Sequence, residues 1–154
     1  MSSVIDALYQ IKYNPFKYGD HVISFYSSLS GVENNLLLAP LIIPLCSHPV
    51  YGNSLSSAVF GEKRKSSIWT IFGERGTLYD LQERIDEFRS LTEQCIQYCL
   101  INDWLLLDEN GLNLSSLDNK NENFEVKKNA FNLGRLLSDL SVVETYAFLG
   151  VKLR

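Results

Sequence analysis

Histidine is scarce in this sequence, and the motifs of common catalytic sites are missing from it. Only His21 and His48 occur among the 154 residues. The sequence contains no glycine-rich phosphate loop ending in Lys-Ser or Lys-Thr and no Gly-x-Ser-x-Gly nucleophile elbow. We expect His21, one residue into a predicted helix, to lie at the surface. We expect His48 to be a cation at a helix C-terminus or a hydrogen-bonded core residue. The sequence therefore predicts a protein that is not an enzyme, with no catalytic residues and no bound cofactor.

Cysteine is also sparse, with an odd count of three: Cys46, Cys95 and Cys99. An odd number, with two in one predicted helix, argues against a disulfide framework and for a reducing compartment. Cys95 and Cys99 are four residues apart and could place two thiolates on one side of a helix for a metal. No Cys-x-x-Cys pair or nearby histidine completes such a site, so we expect core thiols and no metal. No signal peptide is apparent at the N-terminus, which predicts a cytoplasmic location.

Positive charge is in deficit. Fourteen Lys and Arg residues face 18 Asp and Glu residues, giving a formal net charge of −4 and a pI near 5.2. A protein with this balance has no global field that attracts nucleic acid or an anionic membrane. The only short basic cluster is Lys63-Arg64-Lys65.

Long apolar runs are absent as well. The longest, residues 36–46 (LLLAPLIIPLC), has about half of the ~20 residues that a membrane-spanning helix needs. Its apolar side chains point to all sides, so protein must surround it. It contains Pro40 and Pro44, and proline disrupts a helix interior but not a first turn. We therefore expect a buried central helix that starts near Pro40 or is kinked at Pro44, and that supports partner-binding surfaces while touching few partners itself.

The remaining pattern predicts several helices and one β-hairpin in a single domain, residues 1–154. Asn14-Pro15 indicates a rigid turn, flanked by Tyr13 and Phe16, and Asp20 is the predicted N-cap of the helix that follows. Apolar spacing, capping residues and glycine stops give the predicted helices: residues 3–11, 20–29, 53–60, 78–102, 124–137 and 142–149. For residues 66–72, length and period do not separate helix from strand, and we favour a helix because the neighbouring segments are helical.

The longest predicted helix, 78–102, has a continuous apolar seam at steps of three and four residues. Thr77 and Asp80 form a capping-box pattern at its start. Ile96, Leu100 and Ile101 widen the seam, so we expect the deepest burial at the C-terminal end. The seam residues are Leu78, Leu81, Ile85, Phe88, Thr92, Cys95 and Cys99.

Asn110-Gly111 is the preferred pair for a two-residue hairpin turn. This turn sets Leu107 opposite Leu114, with Leu105 and Leu112 on the same face, packed on the long helix. A long helix followed by a tight hairpin is typical of a winged-helix module, which we expect at about residues 66–115. The predicted fold class is mainly α (α+β): a multi-helix domain with one β-hairpin, winged-helix-like, around a buried proline-containing central helix.

A winged helix suggests DNA binding, but the charge of residues 77–103 argues against it. This segment carries six acidic residues against Arg84 and Arg89, whereas affinity for DNA depends on cationic contacts. A protein-binding wing is the favoured interpretation, and a winged-helix DNA-binding regulator is the alternative.

Several segments, taken in order, resemble the middle component of three-component ABC systems (ABC-3C). The similarity covers most of the chain, although residues 52–65 depart from the pattern, being rich in Ser and Gly. The segments are Tyr13-Asn14-Pro15-Phe16, residues 37–49 with their Pro-Leu-x-x-Pro-Leu core, the Trp69 helix, the long helix with its hairpin, Leu133-Gly134-Arg135 and residues 145–151.

This resemblance implies a non-catalytic adaptor subunit that links an ABC or SMC-like ATPase to an effector, often a nuclease. Such systems are similar to Lamassu-type anti-phage defence complexes. Under this hypothesis the partners are proteins, with no membrane and no sequence-specific nucleic acid. The candidate partner-binding residues are Tyr13, Asn14, Phe16, Trp69, Trp104 and Arg135. Core packing remains an equal alternative for the four aromatic residues, whereas a cap or a contact suits Asn14 and Arg135.

Overall fold

The chain is mainly helical with one antiparallel hairpin, as predicted. The computed structural model describes residues 2–61, 65–73, 75–108, 110, 112–117 and 124–153. The helices are α1 (Ser2–Lys12), α2 (Pro15–Ser28), α3 (Ala39–Cys46), α4 (Pro49–Ser56), α5 (Ile68–Phe72), α6 (Leu81–Glu87), α7 (Arg89–Ile101), α8 (Lys128–Leu137) and α9 (Val142–Leu149), with short 3₁₀ helices at Asn35–Leu38 and Arg75–Leu78. The hairpin strands are β1 (Leu105–Asp108) and β2 (Asn113–Ser116).

Helix α3 is the buried centre that the sequence predicted. Its apolar residues from Leu41 to Leu45 are buried. Pro40 lies in the first turn, where its missing N–H would have no helical partner, and Pro44 lies inside the helix.

The last carbonyls of α3, which have no partner within the helix, are bonded from outside. The Arg84 guanidinium donates to the Pro44 carbonyl at 3.1 Å and to Ser47 Oγ at 2.8 Å. The Asn129 side-chain amide donates to the Cys46 carbonyl at 3.2 Å. Arg84 thus caps the central helix from α6.

Helix α2 begins at Pro15, and the prediction of Asp20 as its N-cap is wrong. Asn14 has extended backbone angles, φ −140° and ψ 158°, and its side chain accepts a hydrogen bond from the Lys17 amide. Pro15 fills the first helical position, which its fixed φ suits. The N-cap is therefore six residues earlier than predicted, and Asp20 lies inside the helix.

The predicted long helix is two helices. Phe88, with φ −90° and ψ 7°, separates α6 from α7, yet all seven seam residues are buried. The seam is most deeply buried toward the end of α7, as expected, since Cys95 and Cys99 are fully buried. The expected widening of the seam to Ile101 is wrong, because Ile101 is 78% exposed. Ile101 lies about 200° around the helix from Cys99, so it faces away from the seam. The side chain of Thr77, one of the two residues of the predicted capping box, lies outside the described side chains.

The hairpin has the predicted register, with Leu107 opposite Leu114. Only part of the predicted apolar face is covered: Leu105 and Leu114 are buried, whereas Leu107 and Leu112 are exposed. Of the predicted turn, Asn110 is described and Gly111 lies outside the described residues.

Asn35 forms hydrogen bonds with the outer edge of β2, although it lies far in sequence from the predicted winged-helix module. Its side-chain amide donates to the Leu114 carbonyl at 3.0 Å, and its Oδ1 accepts from the Leu114 amide at 2.7 Å. Tyr26 in α2 donates in turn to the Asn35 carbonyl at 2.8 Å. The hairpin is thus anchored by residues outside 66–115, namely Tyr26 and Asn35. Residues 66–115 therefore do not form a self-contained module, and the predicted winged-helix portion is not confirmed.

Helices α2 and α8 cross closely at Gly134. A Cβ on Gly134 would overlap Ser28 Oγ and the Phe25 carbonyl, and Ser28 Oγ donates to the Phe131 carbonyl at 2.6 Å across the same crossing. Helix α8 begins at Lys128, four residues after its predicted start. Helix α9 has the predicted bounds, the Ser141–Glu144 capping box and the Gly150 stop.

No single helix in the described part of the chain is long and apolar enough to cross a membrane. One pair passes that test together, by length and composition alone: residues 35–46 and 49–56, which are bent by 104°.

Candidate partner-binding surface

Tyr13 joins helix α1 to the body of the protein. It is half-buried, and its ring centroid lies 4.8 Å from that of Tyr9, 5.1 Å from that of Phe88 and 5.8 Å from that of Tyr18. These contacts connect α1, α2 and the α6–α7 break. Tyr13 therefore has a packing role and is only partly exposed.

The Asn14 side chain caps two helices, at the end of α1 and at the start of α2. Its Nδ2 donates to the carbonyls of Gln10 and Ile11, both at 3.0 Å, at the end of α1. Its Oδ1 accepts from the Lys17 amide at 3.0 Å, at the start of α2. The polar side chain is thus engaged as a cap, which fits one of the two roles that the sequence allowed.

Phe16 and Trp104 are two members of one row of rings but differ in exposure. Phe16 is 72% exposed and meets the ring of Tyr98 at 5.3 Å. Tyr98 meets Trp104 at 5.4 Å, and Trp104 meets Phe124 at 5.3 Å. Trp104 is 7% exposed, so its position favours the core alternative, whereas Phe16 presents its ring to solvent.

Trp69 lies on a different part of the chain, on α5. It is 66% exposed and packs edge-on against Phe148 of α9, with ring centroids 4.5 Å apart. A large aromatic ring left mostly exposed, with one fixed neighbour, is a common feature of protein interfaces.

Arg135 is exposed and lies over the Phe60 ring, with 4.0 Å between the guanidinium carbon and the ring centroid. The two residues line a polar hollow together with Ser28, Ser30, Gly61, Lys65, Ser138 and Asp139. Lys65 and Asp139 form an exposed ion pair at 3.8 Å. Lys63 and Arg64, the rest of the basic cluster, lie outside the described residues.

The structure therefore brings Tyr13, Asn14 and Phe16 together and places Trp69, Trp104 and Arg135 elsewhere. The first three line one groove of about 780 Å³, which we call the α1–α7 groove. Its other lining residues are Ala7, Tyr9, Gln10, Ile11, Pro15, Glu87, Ser90, Leu91 and Gln94. The α7 side of this groove was not predicted from the sequence.

Helix α1 presents the second feature that sequence reasoning missed. Its described side chains from Ser3 to Lys12 are all exposed, although it has an apolar face. Val4, Ile5, Leu8 and Ile11 are between 59% and 70% exposed. The helix was predicted, but its residue spacing does not reveal that its apolar face is left uncovered by the described part of the chain.

The His48 imidazole is an N-cap, which corrects both predicted roles. Its Nδ1 accepts from the amides of Val50 at 3.1 Å and Tyr51 at 3.3 Å, at the start of α4. Accepting these bonds requires an unprotonated Nδ1. Burial, and then the nearby Arg84 charge, lower the pKa of His48 below its usual 6.5.

His21 is half-buried and stacks on Tyr18 at 4.9 Å, so the predicted surface position is wrong. Burial, followed by the Lys127 charge, lowers its pKa to about 4. Its Nδ1 is buried and has no hydrogen-bond partner among the described residues.

All three cysteines are buried free thiols. Burial raises the pKa of Cys46 far above its usual value and raises those of Cys95 and Cys99 to about 12. Within the described chain, no three side chains of the metal-binding types come close enough to hold an ion.

No curated protein and no solved structure matches this chain. A family model does match, over residues 2–153, and it is described as ABC-three component (ABC-3C) system Middle Component 3. Because the match covers nearly the whole chain, the protein belongs to the Middle Component 3 family of ABC-three component systems.

Proposed function

We propose that this chain is a non-catalytic adaptor that joins an ABC or SMC-like ATPase to an effector, a nuclease, in a bacterial anti-phage complex of the Lamassu type. The observation that carries the proposal is the family match over residues 2–153. A middle component of a three-component system is, by that name, one of three proteins that act together.

Two of the exposed aromatic residues lie on separate parts of the chain, which supports an adaptor with two contact surfaces. Phe16 lies beside α1 at the α1–α7 groove, and Trp69 lies on α5 against Phe148 of α9. Both are more than 60% exposed. Aromatic side chains are enriched among the residues that dominate binding energy, so each ring suits a separate protein partner.

The alternative, a DNA-binding regulator, has less support. Arg84 bonds to the Pro44 carbonyl and Ser47, and Arg89 pairs with Asp86 at 3.0 Å. The exposed face of α6 and α7 is left with acidic side chains, among them Glu83, Glu87 and Glu93. A polyanion would be repelled from this face.

The experiment is co-expression of the chain with the ATPase and the effector encoded beside it, followed by size-exclusion chromatography. We expect all three proteins to elute together and the ATPase and effector to separate when the chain is omitted. Phe16→Ser and Trp69→Ser should each weaken retention of a partner, whereas Val143→Ser, which also changes a highly exposed apolar residue (77%), should not. Co-elution of ATPase and effector without the chain would refute the adaptor role, and a shift of duplex DNA at low salt by the chain alone would favour the regulator.

A further inference from the structure

The apolar face of α1 has no partner within the described chain. Four large apolar residues, Val4, Ile5, Leu8 and Ile11, are at least 59% exposed on eleven residues of helix. They recur at steps of one, three and three residues, which places them along one stripe. Contiguous exposed apolar surface on a protein in water marks a binding site more often than chance.

The helix is nevertheless held in place. Tyr9 stacks on Tyr13, Tyr13 meets Phe88, and Asn14 bonds to the last carbonyls of α1. This anchoring fixes α1 at its C-terminal end beside α7. Of the four stripe residues, Ile11 lines the α1–α7 groove, whose apolar lining also includes Pro15, Phe16 and Leu91.

The wall of the groove opposite α1 carries one acidic side chain, and a neighbouring hollow adds a second. Glu87 is the only charged side chain among the described residues that line the groove. A smaller hollow continues along α7, shares Ser90 and Gln94 with the groove, and adds Glu93.

The cations near this surface do not line either hollow, although Lys12 and Lys17 line a third hollow that shares Phe16 with the groove. Arg89 pairs with Asp86, Arg84 bonds to the Pro44 carbonyl, and the Lys12 ammonium lies over the Tyr13 ring at 5.2 Å. The two glutamates on this surface therefore have no compensating charge lining either hollow. Burying the two carboxylates against an apolar or acidic partner would cost free energy, whereas lysine or arginine side chains of a partner would form ion pairs with them.

We propose that the α1–α7 groove binds an amphipathic helix of a partner protein. The apolar face of that helix covers Ile11, Phe16 and Leu91, and its lysine or arginine side chains pair with Glu87 and Glu93. This is helix-in-groove recognition, in which an apolar stripe is buried between helical walls and flanking charges set the orientation. The identification of the partner as a subunit of the same complex rests on the proposed function; the chemistry of the groove does not.

A second copy of this chain fits the groove less well. The chain carries a net charge of −4, and α1 itself contributes only one acidic and one basic residue, Asp6 and Lys12. Two such surfaces would bring like charges together at Glu87 and Glu93.

The test measures binding of a fluorescein-labelled synthetic helix of about five turns, with leucines on one face and lysines on the other. A matched peptide replaces every lysine with glutamate and keeps the leucines. We expect the lysine peptide to bind the purified chain at least about tenfold more tightly at low salt, and this preference to fade as salt rises, because salt screens exposed charge pairs.

Matched variants locate the binding. Glu87→Lys with Glu93→Lys should abolish the preference for the lysine peptide. Glu33→Lys with Asp139→Lys makes the same change in net charge at another hollow, which both residues line, and should preserve it. Ile11→Gln should weaken binding of the lysine peptide several-fold, whereas Ile101→Gln, an exposed residue outside the groove, should not. Circular dichroism confirms that each variant remains folded.

Several results would overturn the proposal. Absence of binding, equal binding of the two peptides, or equal loss in both charge-reversal variants would each remove it. An Ile11-dependent dimer of the chain would assign the groove to a second copy.

Co-elution experiments on the three-protein complex separate the groove proposal from the adaptor role. If the three proteins co-elute and the Glu87→Lys/Glu93→Lys variant retains both partners, the adaptor role stands and the groove proposal fails. If the lysine peptide binds as expected but no complex forms, the groove binds such helices and the adaptor role fails.

Discussion

At the residue scale, His48 shows how a side chain acquires a role from the residue that follows it. Pro49 starts α4 and has no N–H of its own, so the first helix amides that need an acceptor are those of Val50 and Tyr51. The His48 Nδ1 accepts from both. The imidazole thus does the work that serine or aspartate does at most N-caps.

His48→Ala should destabilise the protein by about 1 kcal/mol, the usual loss when an N-cap side chain is removed. His48→Asn should be close to neutral, since asparagine is a good N-cap and presents an acceptor to the same amides. Urea unfolding at pH 7.5, where the histidine is neutral, measures both. An asparagine variant as unstable as the alanine variant would mean that the ring's packing on Tyr51, with centroids 4.6 Å apart, matters more than the cap.

At the element scale, the Leu133-Gly134-Arg135 segment has a different job at each position. Leu133 is fully buried, and Gly134 lets α8 approach α2. Arg135 is exposed over Phe60. One turn of helix therefore combines a core residue, a crossing point and a surface cation.

Gly134→Ala should destabilise the protein by roughly 2–3 kcal/mol, the upper part of the range for overpacking. The added Cβ overlaps the Phe25 carbonyl, which belongs to the backbone of α2 and cannot rotate away. Gly76→Ala is the control, because a Cβ there meets nothing within 4 Å. Thermal unfolding compares the two, and Ser28→Ala added to Gly134→Ala should not restore stability; full rescue would show that only the Ser28 hydroxyl obstructs the crossing.

Prediction from sequence succeeded for the elements where local signals decide. Helix α9 has its predicted bounds because Ser141, Glu144 and Gly150 define both ends. The seam from Leu78 to Cys99 is buried as predicted. Apolar periodicity, however, indicates which face of a helix is buried and not whether the helix is continuous. The interruption at Phe88 was therefore invisible in the sequence. The same holds for Asn35, whose hydrogen bonds to Leu114 join residues 79 positions apart.

The candidate surface could be predicted only in part for the same reason. Tyr13, Asn14 and Phe16 are neighbours in sequence, so a turn is enough to bring them together. The facing wall, with Glu87, Ser90 and Leu91, depends on how α7 packs against α2. Gly19 permits that packing, since a Cβ there would lie 2.7 Å from the Tyr98 ring. The burial of Trp104 also follows from this tertiary arrangement.

At the scale of the whole molecule, acidity should weaken the fold through His21. Its pKa is about 4 in the folded protein and near 6.5 when exposed. Between these values the unfolded chain binds a proton that the folded chain does not, so the free energy of unfolding falls as pH falls through this window. The groups that share its hollow include Lys127, whose charge also lowers the pKa, and Glu125, which raises it.

Denaturant unfolding at pH 7.5 and at pH 5 should show this loss, at most about 1.4 kcal/mol for each pH unit below 6.5. His21→Phe should reduce the dependence. Asp20 lines the same hollow, and burial is the main cause of its raised pKa. As pH falls through the titration of Asp20, a raised carboxyl pKa increases the free energy of unfolding, which is opposite to the effect of His21. The difference between wild type and His21→Phe therefore isolates the histidine. An unchanged slope in the variant would show that His21 is protonated in the folded protein.

The two tryptophans are spectroscopic reporters of different events. Trp104 is packed between Tyr98 and Phe124 and shielded from solvent, whereas Trp69 is two-thirds exposed. Emission from Trp104 is therefore shifted to the blue and follows unfolding of the hairpin region. Trp69 emits further to the red, is open to iodide quenching, and reports whatever covers α5. Replacing either one with phenylalanine leaves a chain with a single tryptophan, which reports folding in one case and partner docking in the other.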